Sequence, residues 1–309
     1  MMNIKYFEPL KISFGRMKQE LFKPFIAKKW FIIGFSAWLA NLLNNFIGFR
    51  IRVRHPIDIE NFNIDTLKNM INSMKDFFLG NIYIAYLIIF GFIFSIALII
   101  IMTWLSSRGK FIFLHNIIER QAEIKTPWER FRQLGNSLFL WRIVFGLIAS
   151  VSIIILLFPL ILFSFKLTKK LTFPYLYFPL IFIYTMLFAL FVIVSYLIIL
   201  YLNDFIVPIM YIYNCGTNKA WKKFLAIFEK EIGCFLLYAL YVFLLGICFA
   251  VAILAFSICT CCIGLLLLLI PYIGSVILLP VTYTYRCLSI EFLSQFMKDI
   301  DQIVHKNSK

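Results

Sequence analysis

The chain has 309 residues, of which 62% are hydrophobic and 15% charged, and its mean hydropathy is +0.90. That balance excludes an ordinary soluble globule, and 36 Phe exclude a disordered chain. A formal charge of +15, from 30 Lys and Arg against 15 Asp and Glu, marks an oily chain with a positive excess, which reads as an integral membrane protein.

Residues 1–29 are basic, and Phe14, Met17, Leu21 and Phe25 are spaced to share one helical face. The first apolar block covers residues 30–49, about the 20 residues that one helical crossing needs. No small-residue cleavage site follows it, so it reads as a start-transfer span that stays in the protein. Asn41, Asn44 and Asn45 lie on one face of this span, for a polar pathway or for interhelical hydrogen bonds. Segment 50–77 is a salt-laced loop, with Ile64, Leu67, Ile71 and Met74 spaced for a short helix. The second block, 78–105, leads into a basic segment, 106–142. There Thr126-Pro127-Trp128-Glu129 has the pattern of a helix start, with a Thr N-cap, Pro at the first position and a capping-box Glu. The helix puts Trp128, Phe131, Gly135 and Leu138 on one side, and Glu129, Arg130, Arg132 and Gln133 on the other.

The third and fourth blocks are 143–165 and 174–202. Asp204 follows immediately, either as an acid at the headgroup boundary or at the head of a re-entrant segment over 205–213. Trp221-Lys222-Lys223-Phe224 repeats the spacing of Trp128 and Phe131, 93 residues later. Trp221, Phe224, Leu225 and Phe228 face one way, with Lys222, Lys223, Glu229 and Lys230 opposite. The fifth block, 232–258, and the sixth, 263–285, are joined by Cys259-Thr260-Cys261-Cys262. Three thiols in one turn suit a disulfide in an oxidising compartment or a soft-metal site, although no fourth ligand is near. Pro159, Pro271 and Pro280 predict bent helices.

None of the six blocks alternates with a period of two, so helices are predicted and a barrel is not. Alternate flanking segments, counted from the N-terminus, hold 22 of the 30 Lys and Arg. By the positive-inside rule both termini are expected in the cytoplasm. The fold expected is all-α and polytopic: six transmembrane helices as three hairpins in one domain, each hairpin preceded by a cytoplasmic amphipathic interfacial helix.

Two resemblances accompany this reading. Trp104 to Phe111, Pro127-Trp128 through Gly135 to Arg142, Leu21 to Phe25, Asp204 to Met210, and Cys261 to Gly264 with Pro271 to Gly274 resemble an uncharacterised family of prokaryotic six-span membrane proteins. The chain is also distantly similar to the membrane domain that accompanies some glycerophosphodiester phosphodiesterases. The first implies a multi-pass protein of the prokaryotic cell (inner) membrane; neither implies an activity.

Chemistry is sparse. The three His stand in separate segments, and no His-Glu-x-x-His, nucleophile elbow or phosphate-cradling Gly-rich loop occurs among 13 Gly. No cofactor, metal or catalytic residue is expected, and the charges form no separate nucleic-acid-binding domain. Arg108, Trp128, Arg130, Arg132, Asn136, Arg142, Trp221, Lys222 and Lys223 are the candidates for anionic lipid headgroups. The leading expectation is a non-enzymatic protein that organises membrane lipids or partner proteins, including a second copy of itself. The alternative is a transporter or channel subunit for a small solute or lipid, using Asn41, Asn44, Asn45 and Asp204. A continuous hydrated cavity that reaches Asn41 or Asp204 would put the alternative first.

Overall fold

The computed structural model describes residues 5–43, 72–73, 75–76, 80–167, 178–260, 263–300 and 302. Among these, every regular element is a helix. In chain order they are α1 (Phe7–Phe22), α2 (Ala27–Ala40), α3 (Ile82–Ile118), α4 (Lys125–Arg130), α5 (Arg132–Leu167) and α6 (Phe178–Tyr201). A π-turn, Leu202–Ile206, leads into α7 (Val207–Tyr213), followed by α8 (Thr217–Phe228), α9 (Ile232–Cys259), α10 (Ile263–Leu269), α11 (Pro271–Ile277) and α12 (Leu279–Ser294).

Among the described residues, four stretches are long and apolar enough to cross a membrane: Ile82–Ile118, Arg132–Pro159, Pro179–Tyr213 and Ile232–Cys259. The pair α11 and α12, bent by 64°, makes a fifth if it is one broken span. Of the first predicted block, residues 30–43 are described, 30–40 of them in α2; residues 44–49, with Asn44 and Asn45, lie outside the described residues. The sixth predicted block is broken at Ile270 and Leu278. Pro271 and Pro280 lack an N–H for a continuous helix, and each instead sits at the start of a new one. Of the two readings of Asp204, the re-entrant segment is not seen: the helix continues through the π-turn to Tyr213 and stops at Asn214, which is left-handed at φ 44°.

Two compact units divide the chain, residues 1–48, 102–141 and 197–309 in the first and 49–101 and 142–196 in the second. Among the described residues of the second unit none is buried. Tyr83, Leu87 and Phe90 are 86%, 72% and 69% exposed. Large apolar side chains standing open along whole helices are stable in lipid and costly in water. The first unit holds the core, in which Phe111, Phe205, Phe224, Phe235, Tyr238 and Phe292 are fully buried.

The amphipathic faces follow the helical period closely. Phe131, Gly135 and Leu138 are buried, Trp128 is half-buried, and Glu129, Arg130, Arg132 and Gln133 are exposed. On α8, Phe224 is buried and Trp221 and Phe228 half-buried, while Lys222, Lys223, Glu229 and Lys230 face out; Leu225, expected inside, is 42% exposed. Two expectations fail. The α4 helix begins at Lys125 with Ile124 as N-cap and no side-chain cap bond, so Thr126 and Glu129 form no capping box. On α1 the buried stripe is Pro9, Ser13, Met17 and Leu21, an i, i+4 row, and Phe14 and Phe25 are 56% and 61% exposed. The cause is the partner helix: α1 lies along α12, and the Arg16–Glu291 ion pair at 2.6 Å fixes which row faces inward.

Each amphipathic helix packs on the end of the long helix before it. Phe131 stacks on Phe111 of α3 at 6.3 Å, and Phe224 stacks on Phe205 of the π-turn at 5.4 Å. The last helix, α12, is covered by α1 from the opposite end of the chain. The packing unit is therefore a long helix plus the amphipathic helix after it, and α1 completes the third unit. This differs from the expected unit, which put the amphipathic helix first.

Candidate functional site

Small residues bring α2 and α3 together. A Cβ on Gly109 would stand 2.6 Å from the Leu39 carbonyl carbon and 2.7 Å from the Ala40 nitrogen, so only glycine permits this approach. Ser106 Oγ donates to the Ala40 carbonyl at 2.8 Å, and Asn116 Nδ2 donates to Ser36 Oγ at 3.4 Å. Close contact through Gly, Ala and Ser is how helices associate in lipid. It holds Asn41, the C-cap of α2, and Lys110 of α3 at the same cavity.

A third wall comes from the π-turn. Pro208 has no N–H for the carbonyl four residues back, and the chain answers with a wider turn in which Val207 N donates to Leu202 O. The extra residue turns both Asn203 and Asp204 to the cavity. The fourth wall is α12, which supplies Thr282, Tyr285 and Arg286, with Phe113, Leu200 and Val242 as apolar lining. The cavity measures about 280 Å³.

Its polar contacts are interlocked. Lys110 Nζ donates to Asn203 Oδ1, and Arg286 Nη1 donates to the Asn203 carbonyl. Tyr238 Oη donates to Asp204 Oδ2 at 3.0 Å. Arg286 and Lys110 are both close enough to Asp204 to act on it electrostatically. The second guanidinium nitrogen of Arg286, Nη2, is buried with no hydrogen-bond partner. Among the described residues of the lining, two cations therefore face one carboxylate. The arrangement has the charges and donors needed to hold and orient a charged group.

The other predicted residues are distributed as follows. Arg108, Trp128 and Asn136 come together with Trp104. The Arg108 guanidinium lies 4.3 Å from the Trp104 ring centroid and 5.0 Å from that of Trp128. Asn136 Oδ1 accepts from Trp104 Nε1 at 3.2 Å and from Arg108 Nη2 at 3.3 Å. Arg108 is 7% exposed, a caged cation that ties α3 to α4 and the start of α5. Arg130 and Arg132 are exposed, and Arg142 is half-buried in the second unit. Trp221 stacks on Trp141 at 5.5 Å, Lys222 is exposed, and the Lys223 ammonium sits 3.4 Å above the Tyr213 ring. Cys259 is exposed and free, while Cys261 and Cys262 lie outside the described residues.

Lys110, Asn203, Tyr238 and Arg286 were not singled out from the sequence. One signal for them was present: Lys110 and Asn203 stand 93 residues apart, the same interval as Trp128 and Trp221.

Several helices long and apolar enough to cross a membrane, with large apolar side chains standing open, define a multi-pass helical membrane protein. The chain belongs to a family of unknown function, DUF7544, whose model matches residues 7–294. No curated protein and no solved structure matches it, so the likeness to the phosphodiesterase membrane domain has no support.

Proposed function

We propose that this protein is a transporter or channel subunit for a small charged solute or lipid headgroup in the prokaryotic cell membrane, and that it performs no covalent chemistry. One observation carries the reading: the cavity reaches both Asn41 and Asp204, and residues of α2, α3, the π-turn and α12 converge on it. Charged groups in membrane helices are costly, and those that occur commonly mark a solute path. In the proposed topology, with six spans and both termini inside, Lys110, Asp204 and Arg286 lie at the cytoplasmic ends of the even-numbered spans. A reporter fused at Lys309 tests that topology, and an extracytoplasmic signal refutes it.

Transport is tested with the purified full chain in sealed vesicles, following uptake of inorganic phosphate, methylammonium and glycerol. The expected result is uptake of one probe above that of empty vesicles, reduced in Asp204→Asn and in Asn41→Leu. Uptake equal to empty vesicles for all three refutes it.

The second reading, organisation of anionic lipids or of partner proteins, including further copies of the chain, draws on α8. Lys219, Lys222 and Lys223 are exposed on the side opposite buried Phe224. Each basic residue near an anionic surface is worth about 1 kcal/mol. Flotation with vesicles containing phosphatidylglycerol tests it: binding unchanged in a Lys222→Gln, Lys223→Gln double variant counts against it.

A further inference from the structure

We infer that the ligand of this cavity is an oxyanion, a phosphate or a phosphate ester, held by Lys110 and by the unpartnered Nη2 of Arg286. The inference rests on the reading of the cavity as a solute site and adds the class of solute.

Charge is the first reason. Among the described residues of the cavity wall, Lys110 and Arg286 stand beside one carboxylate, Asp204, which already accepts from Tyr238. Two cations beside one carboxylate favour an anion over a cation at this surface.

Geometry is the second. Arg286 gives Nη1 to the Asn203 carbonyl, which fixes the plane of the guanidinium, and leaves Nη2 buried with no acceptor. A buried donor without a partner is a defect unless a ligand completes it. A guanidinium held in one plane is suited to the oxygens of phosphate, and its second nitrogen is already in place before the ligand arrives.

Form is the third. Donors come from α3 and α12, on separate walls, so a ligand with several acceptor atoms meets both while a single-atom anion meets one. At about 280 Å³ the cavity falls at the lower edge of small-molecule sites, with room for phosphate or a headgroup ester. Asn41 supplies a neutral amide at the same surface.

The test uses the full chain in phosphate-free detergent buffer. Equilibrium dialysis of the wild-type protein with inorganic phosphate is read first, because no variant's folding enters it. Saturable binding of one phosphate, unaffected by equal ionic strength of chloride, is expected. Apparent affinity should fall about 10- to 100-fold in Arg286→Gln and in Lys110→Gln, the loss of one charge-assisted hydrogen bond, and should stay unchanged in Lys11→Gln, an exposed control. A parallel arm compares thermal stability in nanodiscs of phosphatidylglycerol and of phosphatidylcholine. Stabilisation by phosphatidylglycerol that requires Arg286, without binding of free phosphate, assigns the oxyanion to a lipid headgroup. Chloride binding as well as phosphate does, or binding undiminished in both folded variants, overturns the inference. Methylammonium uptake with no phosphate binding also overturns it and leaves the transport reading standing. Phosphate binding without uptake of any probe removes the transport reading and leaves the oxyanion site.

Discussion

Gly109→Ala should loosen the protein at the seam that builds the cavity. The added methyl would stand 2.6 Å from the Leu39 carbonyl carbon and 2.7 Å from the Ala40 nitrogen. Both are backbone atoms, so no side chain can swing aside, and an ordinary carbon contact of about 3.5–4 Å requires α2 and α3 to part by about 1 Å. Overpacking of this kind costs about 1–3 kcal/mol. The Ser106–Ala40 bond, 2.8 Å long, would be stretched beyond use, a loss of about 0.6–1.7 kcal/mol. Against these, alanine gains about 0.5–1 kcal/mol over glycine in a helix. The net loss is about 1–4 kcal/mol, roughly 5- to 900-fold in the folding equilibrium. Gly15 is the internal control, because it is exposed on α1 with nothing within 4 Å of its Cβ position. Gly15→Ala should be neutral or slightly stabilising. Unfolding in mixed micelles, followed by tryptophan fluorescence, measures both. Equal stability of Gly109→Ala and Gly15→Ala would refute the close-approach account.

Three further outcomes are expected from the same unfolding assay. Tyr238→Phe removes a hydroxyl that serves a half-buried carboxylate and should cost about 1.5–3 kcal/mol, while Tyr201→Phe, whose hydroxyl donates to the neutral Phe235 carbonyl at 3.1 Å, should cost about 1 kcal/mol. Arg16→Ala leaves Glu291, 3% exposed, without its ion pair and should cost about 3–5 kcal/mol; Glu8→Gln, in a pair 61% and 49% exposed, should change stability by less than about 1 kcal/mol. Arg108→Lys keeps the charge but loses the planar face between Trp104 and Trp128, and should cost about 1–2 kcal/mol together with a change in tryptophan emission.

The amphipathic faces of α8 and of the Trp128–Leu138 stretch were legible because the boundary between core and solvent imposes the helical period directly on residue choice. The face of α1 was misread because Phe14 and Phe25 outweighed Ser13, and a serine bonded to the Pro9 carbonyl at 2.6 Å packs as well as an apolar residue. The extent of α3 was hidden for a different reason. An apolar block ends at its first charge, but helical hydrogen bonding does not, and α3 runs on past Leu105 to Ile118. Lys110 and Arg286 thus looked like ordinary cytoplasmic charges. What ties them to the cavity is Asn203, 93 and 83 residues away respectively, a pairing no local window contains. Asn41 and Asp204, the two polar residues of the pathway that lie on described helices, do reach the same cavity. The bend between α11 and α12 was announced by its prolines.

The contact between α1 and α12 also sets an order of events during synthesis. Arg16 and Glu291 are 275 residues apart, so at about 5–20 residues per second the first helix waits tens of seconds for its partner. Throughout that interval the buried row of α1, with Met17 and Leu21, lacks the cover that α12 gives it. The bilayer surface is the natural holding place for such a stripe. Helix α1 is in this sense made early and docked late, and any ribosome that stops short of α12 leaves Arg16 without Glu291.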